Sequence, residues 1–441
     1  MIKISRFIVF LLIILACSKS KISEPTPIEI NQQSPNIVFI IADDMGWDVF
    51  GQYPGIDGTK ANTPTLDSLA KNGISFTNFW VNPECAPTRA ALLTGKYAFR
   101  TGVGGVQAPQ TATLKSSELI IQKYINDKTS NSYATAVIGK WHVSGNTPLN
   151  APETFGVNYY SGFLSGAVSD YYNWTETSNG IQKNITDYAT TRLVDNSVSW
   201  IQKQTKPFFL WLALNAPHTP FHRPPLNLIK NQTLSASVAA INADQYSYYL
   251  ASIEAMDKEI SRLIASLSVS QRENTVFVFI GDNGTPTQVA QSVYKKNGTK
   301  STLFQGGINT PLIVSGKNVS RKNEVETALV QAPDMFATFA DIAGAGNENY
   351  QDGVSFKKLL SDATAPKRSF VYSEFFGSSP ATNDGFTIRN ETYKYISLEN
   401  GKEYFFDLVN DPFEKSNLLA GTLSKEAQQN LDKLKTIKSN L

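Results

Sequence analysis

Cys85 lies in the stretch Asn-Pro-Glu-Cys-Ala-Pro-Thr-Arg-Ala-Ala-Leu-Leu-Thr-Gly, with Pro87 and Arg89 at +2 and +4. A proline fits the first turn of a helix, because its missing N–H would be unpaired there anyway. The exposed N–H groups and the dipole of that turn favour an anion beside Cys85. Arg89, one turn further on, can return its guanidinium to the same place. The stretch therefore predicts a reactive side chain, an oxyanion-binding backbone and a fixed cation; the alternative is a small buried cysteine that opens an ordinary helix.

Acidic and amide side chains directly follow two apolar runs. Asp43 and Asp44 follow the first run, and Asp282 and Asn283 follow the second. Open α/β sheets place their ligands at the carboxyl ends of strands. Because these side chains offer only oxygen ligands, they favour Ca²⁺ or Mg²⁺ over zinc. The alternative is a set of solvated loop acids.

Two lysines and the three histidines of the chain also follow predicted strand ends or lie in polar loops. Lys140 and His142 follow one strand, His218 and His222 follow another, and Lys300 lies in a loop rich in Gly and Thr. A lone Lys or His is usually structural, but such spacing favours projection into one cleft. The two lysines join the arginine above as three cations for one small oxyanion. His142 and His218 are candidate proton-transfer groups.

The elements that position these residues alternate between strands and helices. Continuous β-branched apolar runs are typical of strands buried on both faces of a parallel sheet. The alternation predicts an α/β fold with a doubly wound, mostly parallel central sheet flanked by helices. The predicted strands are 36–42, 133–138, 208–214, 275–280 and 311–314, and the predicted helices are 64–72, 116–124, 188–201, 246–264 and 332–343.

The C-terminal part changes to short alternating runs. Strands are predicted at 370–373, 385–389, 393–397 and 403–408, followed by an amphipathic helix at 425–437. These elements predict a smaller C-terminal α+β subdomain, 366–441, after a larger domain at 35–365 that carries the candidate catalytic residues. Residues 161–184 lack periodicity and are predicted to form a long surface excursion near the site. Three loops are expected to select the substrate: 103–113, 161–184 and 378–384.

The first 34 residues carry targeting features. Lys3 and Arg6 precede the apolar run 7–16, which is too short for a membrane-spanning helix. The run ends at Ile-Leu-Ala-Cys, similar to a bacterial lipobox, so 1–17 is expected to be a lipoprotein signal peptide with Cys17 lipidated; a plain secretory signal is the alternative. Residues 18–34 are expected to be a flexible tether. The expected location is a bacterial periplasm, outer membrane or cell surface, after export across the inner membrane.

Composition limits the class of partner. The 441 residues contain 40 Lys and Arg against 38 Asp and Glu, a balance that argues against a nucleic-acid binder. The apolar fraction of 41% and charged fraction of 18% are typical of a globular protein. The two cysteines have separate predicted roles, so no disulfide is expected.

The motifs together resemble the type I, formylglycine-dependent sulfatases of the alkaline phosphatase superfamily. The hallmark of that family is Cys-x-Pro-Ser/Thr-Arg, then a short helix and Leu-Leu-Thr-Gly, as at Cys85. The resemblance runs from about residue 36 to 418, through the other motifs in their expected order. Those motifs are Asp43-Asp44, Gly139-Lys-Trp-His142, Pro217-His218, Gly281-Asp-Asn-Gly284, Lys300 before Gly306-Gly307, and the tail at 393–396, 406–408, 411–414 and 417–418.

Two places depart from the family pattern. Val143-Ser144 stands where Leu-Gly is usual, and 304–309 reads Phe-Gln-Gly-Gly-Ile-Asn instead of Tyr-Glu-Gly-Gly-x-Arg. Neither change removes a residue type expected in catalysis. Differences in supporting or substrate contacts are therefore expected around Gln305 and Asn309.

The resemblance implies that a maturation enzyme oxidises Cys85 to Cα-formylglycine, whose hydrated aldehyde is the nucleophile. It implies Ca²⁺, with Mg²⁺ as the alternative. Arg89 and Lys140 would hold the aldehyde-derived and sulfate oxygens. The implied metal ligands are Asp43, Asp44, residue 85, Asp282 and Asn283.

The resemblance also implies roles in proton transfer. Asp282 accepts the proton of the attacking hydroxyl group, and His218 with Lys300 protonates the departing alcohol. His142 then removes the second hydroxyl proton, which expels sulfate and restores the aldehyde. Two further residues, His222 and Arg223, are candidate contacts to the organic part of the substrate.

The function implied is hydrolysis of sulfate esters, with a sulfated polysaccharide or oligosaccharide as the expected substrate. The first alternative is a phosphomonoester or phosphonate hydrolase of the same superfamily, because a metal ion with Lys and His also serves phosphoryl transfer. The second is a lipoprotein that binds sulfated glycans without cleaving them. Completeness of the expected site argues against this binding-only alternative.

Overall fold

The computed structural model describes residues 34–51, 58–106, 113–295, 298–346, 349–377 and 382–441. The predicted signal peptide and residues 18–33 of the predicted tether lie outside the described residues. So do 107–112 and 378–381, which belong to two of the predicted substrate loops. The predicted boundary between residues 365 and 366 stays a prediction.

Strands and helices alternate along most of the described chain. Its strands are β1 (Asn36–Asp43), β2 (Gly73–Trp80), β3 (Ala134–Lys140), β4 (Tyr160–Phe163), β5 (Trp174–Ser178), β6 (Ile181–Ile185), β7 (Phe208–Pro217), β8 (Thr275–Gly281), β9 (Asn309–Gly316), β10 (Glu324–Glu326), β11 (Val330–Gln331), β12 (Asn349–Tyr350), β13 (Gly353–Val354), β14 (Val371–Phe375), β15 (Gly385–Arg389), β16 (Tyr393–Leu398) and β17 (Glu403–Asp407).

The helices differ widely in length. They are α1 (Pro64–Lys71), α2 (Cys85–Thr94), α3 (Ala98–Thr101), α4 (Ile121–Lys128), α5 (Ala151–Thr154), α6 (Ala189–Ile201), α7 (Val238–Ala243), α8 (Gln245–Ser266), α9 (Val269–Glu273), α10 (Ser292–Lys295), α11 (Gln305–Ile308), α12 (Ala332–Ile342) and α13 (Lys425–Ser439), with 3₁₀ turns at Trp47–Val49, Leu226–Leu228, Lys357–Leu360 and Leu418–Ala420. None of the helices in the described ranges is long and apolar enough to cross a membrane.

The central sheet is mixed, with a parallel core. Its strands run in the order β10-β2-β9-β8-β1-β7-β3-β4-β5-β6, with β11 beside β2. The neighbours β8, β1, β7, β3 and β4 are parallel. Strand β9 is antiparallel to both β8 and β2, and β5 and β6 extend the opposite edge in antiparallel pairing. The carboxyl ends of the parallel strands therefore lie along one edge of the sheet.

Strand β1 is buried on both faces, as its apolar sequence predicts. Ile37, Phe39 and Ile41 belong to a core cluster that also contains side chains of α2, α4 and α12. Val38 and Ile40 belong to the cluster on the other face, with side chains of α1, α6 and α8. Helices thus cover both faces of the sheet, and the predicted α/β class is confirmed.

The C-terminal elements form a second, smaller sheet. Strands β14, β15, β16 and β17 pair in chain order, and every pair is antiparallel. Helix α13 packs on this sheet through Leu431 and Leu434, which share a core cluster with Ile388 and Tyr395. The predicted small antiparallel sheet with a closing helix is confirmed.

Two predictions of local structure were wrong. The segment 161–184 was expected to lack regular structure, but it contains most of β4 and most of the β5–β6 hairpin. Asn179 and Gly180 form the two-residue turn of that hairpin with φ of 43° and 77°, a conformation that Asn-Gly favours. The helix predicted at 116–124 begins only at Ile121, because Ile120 is extended with ψ of 158°.

Candidate active site

The carboxyl ends of β1 and β8 bring three acidic side chains together. Strand β1 ends at Asp43, and the chain turns at Asp44 with φ of 69°. The backbone N–H of Asp44 donates to Oδ1 of Asp282 over 3.1 Å, directly after β8. The hydroxyl of Tyr249, from α8, donates to the carbonyl oxygen of Asp44 over 2.6 Å. The three carboxylates are buried and face one centre.

Cys85 meets this centre as the first residue of α2. Its Sγ, an oxygen of Asp43 and an oxygen of Asp282 all lie within 4.8 Å of one another. The same sulfur is 3.3 Å from Nδ1 of His142. Burial raises the pKa of the Cys85 thiol above its ordinary value, although nearby lysines oppose the shift. The encoded side chain is therefore a neutral thiol at neutral pH.

Arg89 and Lys140 pair with two of the carboxylates inside the protein. Nε and Nη2 of Arg89 donate to Oδ2 of Asp282 over 3.1 and 2.7 Å, and Nη1 donates to the carbonyl oxygen of Lys140 over 3.0 Å. Nζ of Lys140 is 2.7 Å from Oδ2 of Asp43. Burial acts to lower the pKa of both cations, but the carboxylates raise it above the ordinary value, so both stay charged.

Lys300 supplies the third cation. Its Nζ lies 2.7 Å from Oδ1 and 2.9 Å from Oδ2 of Asp44. Burial acts to raise the pKa of Asp44, but Lys300 and then His218 outweigh it and hold that pKa below its ordinary value. At Asp282, burial and the charge of Asp43 together raise the pKa to about 6. Neighbouring carboxylates of the same site thus have different proton affinities.

His142 and His218 face the centre from two other strand ends. His142 has φ of 55°, and its N–H donates to the carbonyl oxygen of Leu164 over 3.1 Å. Burial, followed by nearby cations, lowers the pKa of His142 well below its ordinary value. Nδ1 of His218 lies 2.8 Å from the carbonyl oxygen of Thr219 and therefore carries a hydrogen. Nε2 of His218 is 3.7 Å from Oδ2 of Asp44 and faces the site.

The oxygen atoms fit a hard divalent cation. Oδ1 of Asp43 and Oδ1 of Asn283 are buried and have no hydrogen-bond partner among the described residues. Nδ2 of Asn283 donates to Oδ1 of Asp44 over 2.7 Å, so the orientation of the amide leaves its oxygen free to bind. A buried acceptor without a donor requires water or a cation. With the carboxylates of Asp44 and Asp282, these atoms form the oxygen-rich set that Ca²⁺ and Mg²⁺ prefer.

His222 and Arg223 differ in whether their side chains already have partners within the protein. Nδ1 of His222 lies 3.0 Å from the carbonyl oxygen of Pro220, Nε2 lies 3.0 Å from the hydroxyl of Tyr188, and the ring stacks on Tyr171. Both nitrogens are therefore engaged, and burial lowers the pKa of His222 to about 4. Arg223 is half-buried, and its guanidinium has no hydrogen-bond or ion-pair partner within the described part of the chain.

The residues that depart from the family pattern form contacts within the protein. Oε1 of Gln305 accepts from Nε1 of Trp80 over 3.0 Å, and Nδ2 of Asn309 donates to the carbonyl oxygen of Thr77 over 3.1 Å. Both residues line a cavity of about 460 Å³ between the central and C-terminal sheets. Arg389 of β15 also lines this cavity.

Several supporting groups were missed from the sequence. Oγ1 of Thr285 accepts from the N–H of Gly46 over 3.1 Å and holds the turn after Asp44. Tyr249 and Tyr171 reach the backbone of Asp44 and His218, respectively. Thr285 directly follows a site motif and could have been found from that position. The tyrosines belong to distant segments, and no local pattern marks them.

This fold and the buried group at its strand ends are those of the alkaline phosphatase superfamily of hydrolases. The family model described as Sulfatase matches residues 35–345, and the model described as N-sulphoglucosamine sulphohydrolase, C-terminal, matches residues 298–440. The chain belongs to the sulfatase family and is a hydrolase of sulfuric esters. The family generally uses a formylglycine and a divalent metal ion, and the oxygen-rich group described above is a candidate site for such an ion.

Similar proteins include enzymes and solved structures. An ulvan-active sulfatase of Formosa agariphila is 27% identical over 425 residues, which cover 90% of this chain and 80% of that protein. An arylsulfatase of Klebsiella aerogenes is 26% identical, with coverage of 71% and 87%. The crystal structure of Ps i-CgsB with k-i-k-neocarrahexaose has a TM-score of 0.74 and 26% identity, with coverage of 88% and 89%.

Proposed function

We propose that this protein removes sulfate groups from a sulfated polysaccharide or oligosaccharide. The observation that carries the proposal is the convergence of Cys85, three carboxylates and three cations at one buried place. Fixed positive charge in a buried site stabilises the charge that develops on a sulfate group during ester cleavage. Similarity to an ulvan-active sulfatase and to a protein solved with neocarrahexaose supports a glycan as the carrier.

The nucleophile is proposed to be Cα-formylglycine at position 85, formed by a separate maturation enzyme with an external oxidant. The encoded thiol suits attack poorly, because burial raises the pKa of Cys85 and keeps it protonated. A hydrated formylglycine would supply one hydroxyl group for attack on sulfur and a second for release of sulfate.

The proposed metal ion is Ca²⁺, with Mg²⁺ as the alternative. It would orient residue 85 and a sulfate oxygen and supply positive charge. Oδ1 of Asp43 and Oδ1 of Asn283, which accept no hydrogen bond from the described residues, support this proposal. The proposed ligands are Asp43, Asp44, residue 85, Asp282 and Asn283.

We assign the proton-transfer roles from the side-chain atoms that lie closest to residue 85 and the three carboxylates. Asp282 is proposed as the base for the attacking hydroxyl. In the imidazolium form of His218, with Nδ1–H on the carbonyl oxygen of Thr219, Nε2 is proposed to give its proton to the ester oxygen as the sulfur–oxygen bond breaks. With Nζ of Lys300 beside it, the alcohol then leaves neutral. Nδ1 of His142 lies beside the side chain of residue 85, where it can take the proton of the second hydroxyl. The lowered pKa of His142 keeps that nitrogen free to accept.

Substrate contacts are proposed around the mouth of the site. Arg223, whose guanidinium has no partner among the described residues, is proposed to bind an anionic group of the glycan. Because both nitrogens of His222 are engaged, its proposed contact uses the face or edge of the ring. The segments 103–113, 161–184 and 378–384 are proposed to select the sugar.

The location is also a proposal. The basic residues, the apolar run and Cys17 support export and lipidation at the bacterial periplasm, outer membrane or cell surface. Metabolic labelling with a clickable palmitate analogue is expected to mark the wild type but not Cys17→Ser. Equal labelling of the two forms would exclude Cys17 as the lipidated residue.

The central experiment combines activity with chemical analysis of residue 85. Protein made with a maturation enzyme is offered a panel of sulfated oligosaccharides, and the peptide carrying residue 85 is examined by mass spectrometry. Release of sulfate together with the aldehyde mass supports the proposal. Aryl sulfate and aryl phosphate are compared in parallel, and faster hydrolysis of the phosphate would favour a phosphomonoesterase instead. No sulfate release by aldehyde-bearing protein on any glycan would refute the proposed substrate class.

A further inference from the structure

One stretch of the β4–β5 connection contacts both histidines of the site. The carbonyl oxygen of Leu164 accepts from the N–H of His142, and a Cβ added to Gly166 would lie 2.8 Å from Nε2 of that ring. The hydroxyl of Tyr171, seven residues after Leu164, donates to the carbonyl oxygen of His218 over 2.8 Å. The β4–β5 connection therefore contacts His142 and the backbone of His218.

Tyr171 joins the two sides of the turn that carries His218. Its hydroxyl accepts from Nδ2 of Asn215, in β7, over 2.8 Å while it donates to the carbonyl oxygen of His218. The N–H of His218 also donates to the carbonyl oxygen of Asn215 over 2.8 Å, which closes the turn. The Tyr171 side chain is 1% exposed, and its ring stacks on His222 with the centroids 3.7 Å apart.

The imidazole of His218 is held by the residue beside it. Nδ1 lies 2.8 Å from the carbonyl oxygen and 3.3 Å from the hydroxyl of Thr219, and Nε2 faces Asp44 at 3.7 Å. Because the ring is oriented by the backbone beside it, the direction of Nε2 depends on how firmly the turn at His218 is held. The hydroxyl of Tyr171 bonds the carbonyl at that position.

We propose that Tyr171 is the positioning residue that aims Nε2 of His218 at the departing oxygen of the substrate. The inference rests on the proposed role of His218 as proton donor. Tyr171 itself touches neither the sulfate group nor the alcohol. Its effect passes through the hydrogen bonds to Asn215 and to the carbonyl oxygen of His218.

Tyr171→Phe separates positioning from packing, because it removes the hydroxyl and keeps the ring on His222. Proton donation matters most when the departing alcohol is a poor leaving group. We expect kcat for a sugar sulfate to fall by about 10- to 100-fold, whereas kcat for 4-nitrophenyl sulfate changes by less than about threefold. Tyr133→Phe is the matched control, because its buried hydroxyl also donates to a backbone carbonyl oxygen over 2.8 Å, that of Pro35, at the end of β1 opposite Asp43. Equal losses on both substrates, or no loss on either, would overturn the proposal.

A measurement made without substrate tests the positioning role of Tyr171 independently of whether the protein cleaves sulfate esters. The chain has three histidines, so their imidazole nitrogen signals can be assigned by NMR with single His→Gln variants. Tyr171→Phe is expected to broaden or split the His218 signals and to leave those of His142 unchanged. Asn215→Leu, which removes the other partner of the hydroxyl, is expected to do the same. Unchanged His218 signals in both variants would refute positioning even if the enzyme cleaves sulfate esters.

Discussion

Glu374 is expected to make the stability of this protein fall as pH rises through neutrality. It lies in β14 and is 6% exposed. Oε1 accepts from the N–H of Phe99 over 2.7 Å, and Oε2 accepts from the hydroxyl of Tyr372 over 3.0 Å. Its carbonyl oxygen accepts from Nδ2 of Asn82, the first residue of the stretch that contains Cys85. Burial, which outweighs these hydrogen bonds, raises the pKa of Glu374 to about 7.

The sign of the effect follows from linkage. An unfolded glutamate titrates near about 4.3, so the folded protein holds the proton more tightly. The stabilisation is fully present below the unfolded pKa and is lost as pH rises through about 7. The full shift corresponds to at most about 4 kcal/mol, since one pKa unit is worth about 1.4 kcal/mol, and about 3 kcal/mol of it is lost between pH 4.5 and pH 8. For a chain of this size that is about 3–4 °C in the thermal midpoint.

Glu374→Gln isolates this contribution, because a neutral amide of the same shape occupies the site. Wild type and variant are compared by thermal and urea unfolding at pH 4.5 and pH 8, with chelator present at both. The variant is expected to gain up to about 3 kcal/mol relative to wild type between the two pH values, as expected for a carboxylate that must ionise while buried. Parallel pH curves for the two proteins would show that Glu374 ionises as freely in the fold as in water.

Further predictions concern metal, substrate and a buried ion pair. Removal of divalent ions with EDTA is expected to abolish sulfatase activity and Ca²⁺ to restore it; full activity after exhaustive chelation would contradict the assigned ligands. Arg223→Ala is expected to raise KM several-fold for sulfated oligosaccharides and little for 4-nitrophenyl sulfate, whereas the exposed Arg272→Ala serves as the control. Lys394→Met is expected to destabilise the protein by about 3–5 kcal/mol, because the buried Glu414, 2.6 Å away, loses its ion-pair partner. Adding Glu414→Gln should recover most of that loss in urea unfolding, and failure to recover it would exclude the unpaired charge as the cause.

The central strands and their site residues were predictable, because each strand and the site residue that follows it lie in one short stretch of sequence. The apolar run of β1 is directly followed by Asp43, so the strand and the position of its acid come from the same short stretch. The same holds for β8 and Asp282, and for β7 and His218. Parallel neighbours in the sheet then bring these residues to one edge without further assumptions.

The support around that centre was not predictable from local patterns. Helix α1 has no side-chain cap at Thr63; instead, Asp257 of α8 accepts from the N–H groups of Thr65 and Leu66 over 3.0 and 2.8 Å. That cap comes from almost 200 residues away, and only the packing of the two helices creates it. The β5–β6 hairpin is different, because its Asn179-Gly180 turn is legible in the sequence.

Charge balance explains why this site can be both buried and prepared for an anion. Asp43, Asp44 and Asp282 each pair with a lysine or arginine, so the three negative and three positive charges cancel within the described structure. Such cancellation limits the cost of burying six ionised groups. A divalent cation bound by the oxygens of Asp43 and Asn283 that accept no hydrogen bond from the described residues would leave the site with an excess of two positive charges. That excess matches a sulfate group with growing negative charge, and a neutral substrate would gain nothing from it.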